Sequence, residues 1–159
     1  MIGMEISGLP LHFLVIHVAV VFTPLAALSV IAFAVLPSWR WLTRWPAAAL
    51  TVIAAVSVLV AKLSGQAFLK TQPDLAPLVV THQSRGNLLL WLMLGFLVLT
   101  AVGVWALGGP TGLANGRGAW PSRSSALDRA LPIVLVLASL VVLVWVFLTG
   151  DAGARAVWG

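Results

Sequence analysis

The residues best able to do chemistry in this sequence are its three histidines, His12, His17 and His82, with Asp151 as the carboxylate at a similar level. Cysteine is absent, which removes thiolate metal sites, Cys nucleophiles and Cys-ligated iron–sulfur clusters. A metal site must therefore use His, carboxylate or Met, and imidazole is a ligand that zinc, copper and haem iron share. His12 and His17 are five residues apart, which at about 100° per residue sets them about 140° apart around a helix. They do not share a face, and the i, i+3 or i, i+4 spacing of paired helical ligands is absent. His17 lies about 7.5 Å deeper along a helix and is the better candidate for a buried ligand. His82 precedes Gly86 by one turn, and that glycine leaves room beside the imidazole for a flat ligand or a close helix contact. Asp151 reads as a ligand, as an acceptor that orients an imidazole, or as a salt-bridge partner of Lys62 or Arg155. No His-Glu-x-x-His, P-loop or Gly-x-Ser-x-Gly motif occurs, and no Asp or Glu lies inside an apolar run where an ion relay would need one.

The elements that position these residues follow from composition. Hydrophobic residues make up 61% and charged residues 8% of the 159 residues, against about 25% charged in soluble domains. So few charges cannot cover a soluble surface, and the length suits about four spans of roughly 20 residues. The expected architecture is a single all-α domain, residues 1–159, an integral membrane four-helix up-down bundle. The spans are expected at about 11–36, 46–66, 84–107 and 130–149, with a flexible cytoplasmic loop over 108–126, rich in Gly, Pro and Ser. Pro24 kinks the first span, and Ser57, Ala61 and Gly65 form a small-residue face on the second. The opening carries Glu5 and no Lys or Arg, unlike a secretory signal, and is expected to be retained.

An even number of spans puts both termini on one face. The opposite face carries Arg40, Arg44, Arg117, Arg123 and Arg129 against Asp128, a net +4, while the termini face carries Lys62, Lys70, Arg85 and Arg155 against Glu5, Asp74 and Asp151, a net +1. The positive-inside rule then places both termini on the extracytoplasmic side of a cell inner (cytoplasmic) membrane. Trp39, Trp41 and Trp45, interleaved with Arg40 and Arg44, suit an interface at the cytoplasmic end. The net charge of +5 reads as a topology signal, since no dense basic patch suggests nucleic acid. All three histidines fall at the outer end, where polar groups from separate segments converge.

Several segments occur in order at the ends of the four spans: Gly8-Leu9-Pro10-Leu11-His12-Phe13-Leu14-Val15-Ile16-His17, then Ser64-Gly65 followed by Phe68-Leu69. His82-Gln83-Ser84-Arg85-Gly86 and the tail Gly150-Asp151-Ala152-Gly153-Ala154-Arg155-Ala156-Val157-Trp158 complete the set. With these the chain resembles, over nearly its whole length, the bacterial predicted-membrane-protein family catalogued as domain of unknown function 2231. The resemblance implies a histidine at four outer positions, three of them matched by His12, His17 and His82 and the fourth occupied here by Asp151. Four such histidines look like two pairs of haem or metal ligands, and some relatives are joined to Rieske-type iron–sulfur domains. The Asp leaves the second pair incomplete, although a carboxylate there could ligate a hard metal or hydrogen-bond His12.

Two functions are expected from this. The first is an outer-face histidine cluster that binds haem b or a divalent metal for membrane electron transfer or a respiratory complex. Within it His17 and His82 are the expected ligands, His12 a second ligand or an orienting group, Asp151 a metal ligand or an acceptor that orients an imidazole, and Ser64, Lys62, Arg85, Gly86 and Arg155 supporting groups. The second is a non-catalytic assembly subunit packing against a larger membrane complex, its histidines being interhelical hydrogen-bond groups. The bilayer is the expected partner under either, with a membrane redox complex or a second copy of the chain as the further one. Neither reading supplies an enzyme on its own.

Overall fold

The computed structural model describes residues 5–6, 9–107 and 125–158. A two-residue antiparallel hairpin, β1 (Glu5–Ile6) and β2 (Leu9–Pro10), precedes four helices: α1 (Leu11–Val35), α2 (Arg40–Thr71), α3 (Val80–Leu107) and α4 (Ser125–Trp158). Single 3-10 turns at Pro37–Trp39 and Pro73–Leu75 join α1 to α2 and lead towards α3, each opened by a proline at its first position. All four helices are long and apolar enough to cross a membrane. They form a closed ring in which α1 packs on α2 and α4, and α3 packs on α2 and α4.

The helices run past the expected limits. The second begins at Arg40, so Pro46 sits inside it as its seventh residue, past the first turn, where it leaves the Leu42 carbonyl without a helical N–H. The fourth begins at Ser125, so only its first residues fall within the expected loop, and 108–124 lie outside the described residues. It does not stop at Gly150 but continues to Trp158, with Asp151 and Arg155 one turn apart and paired along it.

The bundle interior mixes many small and hydroxyl-bearing residues with Leu, Val, Met and Phe side chains, and large apolar residues also cover its exterior. Ala26, Ala27, Ala47, Ala54, Thr23, Thr51 and Ser139 are fully buried, whereas Trp91, Trp105 and Phe147 are about 70% exposed. In water that distribution would be costly; in lipid the exterior is solvated and small residues let helices approach. Buried hydroxyls bond back along their own helices, as Thr51 to the Ala47 carbonyl (2.7 Å) and Ser139 to the Leu135 carbonyl (2.8 Å). The largest fully buried side chains are Phe33, Phe96, Met93 and Leu135.

One end of the ring carries arginines. Arg40 turns back from the start of α2 and donates to the carbonyls of Phe33 (3.2 Å) and Ala34 (3.2 Å), which the end of α1 leaves without helical partners. Its guanidinium also lies over the Phe33 ring, and that of Arg44 over the Trp45 ring. The other end carries all three histidines.

Candidate functional site

His12 stands in the first turn of α1 and His82 in the first turn of α3, and each reaches across to a different helix. The half-buried His12 ring places Nδ1 3.0 Å from the Ala61 carbonyl of α2 and 3.3 Å from Ser64 Oγ. The half-buried His82 ring places Nδ1 3.0 Å from the Thr149 carbonyl of α4. A carbonyl only accepts, so both imidazoles carry their proton on Nδ1 and leave the lone pair on Nε2. Ser64 Oγ donates to the same Ala61 carbonyl at 3.1 Å.

Glycine makes each approach possible. A Cβ on Gly65 would stand 2.8 Å from Cε1 of His12, and one on Gly153 would stand 3.0 Å from Nδ1 of His82. The His12 ring is further covered by Phe68, with planes 17° apart and centroids 6.4 Å apart, and Phe13 meets Phe68 edge-on. On the other side Arg85 Nη1 donates to the Leu148 carbonyl (2.7 Å), and Trp145 Nε1 donates to the Arg85 carbonyl (3.2 Å). The α3–α4 contact thus holds three cross-helix hydrogen bonds around His82.

The other expected ligands go elsewhere. His17 is exposed rather than buried, and its Nδ1 donates to the Phe13 carbonyl of its own helix at 2.6 Å. The rotation between His12 and His17 is the reason: with His12 turned inward to α2, His17 is carried outward. Asp151 takes both oxygens to Arg155 Nε at 3.0 Å and stands beside an open groove of about 490 Å³ between α1 and α4, walled by Val20, Pro24, Phe147 and Gly150. The expected cluster is therefore not formed: among the described residues no group of three or more His, Asp or Glu is placed to hold a metal ion. A Cβ on Gly86 would stand 4.0 Å from the Thr149 methyl and would not meet His82, and Lys62 is half-buried. Sequence reasoning missed the acceptors, the carbonyls of Ala61 and Thr149, because a backbone acceptor has no residue type to read. Gly153 was visible in the tail, but its partner His82 is 71 positions earlier.

Residues 8–159 match the model of a family described as "Predicted membrane protein (DUF2231)". No curated protein matches, and no solved structure matches.

Proposed function

The chain belongs to this family of predicted membrane proteins, and on that premise we propose that it is a multi-pass bundle whose histidine end would hold a haem b through His12 and His82, for membrane electron transfer or a respiratory complex. In this reading the helices run up and down, both termini are extracytoplasmic, and the membrane is the cell inner membrane, as the arginine excess at the other end favours. The observation that carries it is the anchoring of both Nδ1 atoms on carbonyls of neighbouring helices. Such anchoring orients a ligand imidazole and leaves Nε2 basic. Two imidazoles suffice as the axial ligands of haem iron but fall short of the three or four protein ligands of a divalent zinc site, so haem suits the donor set better. When bound, haem would supply one-electron chemistry; the chain supplies two imidazoles held by backbone carbonyls.

A second reading is favoured by the same bonds seen as contacts. Each joins two helices over a glycine notch, which is what a non-catalytic assembly subunit needs to hold its shape beside a larger partner. The readings part in one experiment. The detergent-purified chain, from cells given a haem precursor and trace metals, is examined by absorption spectroscopy and metal analysis. A low-spin Soret band with about one haem per chain is expected; absence of both haem and metal leaves the assembly reading.

A further inference from the structure

The two imidazole contacts are built alike. In each, Nδ1 of a histidine in a first helical turn meets a carbonyl four residues before a glycine, and the ring rests on that glycine. Laying His12 on His82 shifts α1 onto α3 by 70 positions, and laying Gly65 on Gly153 shifts α2 onto α4 by 88. Neither shift was chosen to match cores, yet both do. Ala19, Thr23, Ala26 and Val30 fall on Leu89, Met93, Phe96 and Thr100, all buried. Ala47, Thr51, Ala54 and Val58 fall on Leu135, Ser139, Val142 and Val146, also all buried. Thr51 and Ser139, which this places together, both bond back to the carbonyl four residues earlier.

Volumes are exchanged between the halves. The fully buried Phe33 falls on Gly103, and the small Ala47 falls on Leu135. Leu135 fills the space that Gly103 leaves, its Cδ1 2.8 Å from where a Cβ would stand. At these two pairs of positions the first half is large on its first helix and small on its second, and the other half is the reverse. The ring order has the matching form, since α1 meets α4 as α3 meets α2. The outward His17 falls on the equally exposed Asn87, while Phe68, which covers the His12 ring, falls on Ala156.

We infer that the chain is a tandem of two helical hairpins, α1–α2 and α3–α4, related by a two-fold axis along the bundle, and that His12 and His82 form one site on that axis, each half giving one imidazole to a single haem. The site half of this inference rests on the ligand reading above; the hairpin relation does not. Parallel repeats about an axis along the membrane normal occur in other membrane proteins, with ligands at the repeat interface.

The full chain tests both parts. With haem supplied, wild type and His17→Ala give the same low-spin spectrum at one haem per chain, while His12→Ala and His82→Ala each abolish it. Loss in only one of the two overturns the shared site, and a wild-type chain without haem overturns the ligand reading and the site with it. The hairpin relation is tested separately by exchanging one layer, with Phe33→Gly, Ala47→Leu, Gly103→Phe and Leu135→Ala combined. The exchanged chain is expected to unfold in detergent within about 3 °C of wild type, and Gly103→Phe or Ala47→Leu alone about 10 °C lower. A combined variant no more stable than the single ones overturns the relation, whatever the spectra show.

Discussion

Gly153 of α4 lies against the imidazole of His82 so closely that a single added carbon would stand 3.0 Å from Nδ1, the atom that bonds the Thr149 carbonyl. The same relation joins Gly65 to His12, with 2.8 Å to Cε1. The notch and the hydrogen bond are one device: without the notch the ring cannot lie close enough for its N–H to reach the backbone.

Alanine at Gly153 or Gly65 should therefore act through the histidine it faces. Each substitution is expected to destabilise the bundle by about 1–3 kcal/mol, the usual range for overpacking. Gly65→Ala should cost nothing further in a His12→Ala background, because the clash is then gone. Thermal or denaturant unfolding in detergent, run as a double-mutant cycle, checks this; additive losses would show that ring and glycine are independent.

In the absence of any ligand, His82→Ala should lower stability by about 0.6–1.7 kcal/mol, the range of interhelical side-chain hydrogen bonds in membranes. His17→Ala should leave it unchanged, since that ring bonds only its own helix. Equal effects of the two would contradict the inward and outward placement of these histidines.

At the opposite end, Arg40→Ala leaves the carbonyls of Phe33 and Ala34 without their side-chain donors and should cost about 1–3 kcal/mol, as for bonds from a charged donor. Arg40→Lys should recover only part of this, because an ammonium cannot copy the fork that spans two successive carbonyls. Unfolding midpoints of the three proteins order the effect.

Asp151→Asn should leave the unfolding midpoint where it is. The pair with Arg155 is an exposed i, i+4 contact, and such pairs contribute little. A marked drop, or a changed haem spectrum, would mean that Asp151 acts on the site after all.

The absence of cysteine makes sidedness directly measurable. Single cysteines at Asp74 and Arg155 should react with a membrane-impermeant maleimide in intact cells, and ones at Arg44 and Arg129 only after permeabilisation. The reverse pattern would invert the proposed orientation and put the imidazole pair on the cytoplasmic side.

Much of this molecule was legible from its residues. So few charges among so many apolar residues leave a chain of this length little choice but a set of membrane helices, and the described residues form four that are long and apolar enough to cross. The levels of the histidines along those helices followed from counting, and so did the divergence of His12 from His17. Helix ends were read less well, because α2 and α4 extend beyond their apolar runs, where hydrogen bonding continues although hydropathy has fallen.

The sequence alone determined that every histidine sits at one end of an apolar bundle, since axial position depends only on rise per residue. Which neighbour each ring meets depended on helix phase and on where a glycine opens the facing backbone, so His12 turned to Ala61, His82 to Thr149, and His17 away from both. The likeness of the two hairpins was hidden for a related reason. Packing constrains the total volume of a layer and not the residue at each position, so Phe33 can stand where the other half has Gly103, provided that Ala47 and Leu135 are exchanged as well.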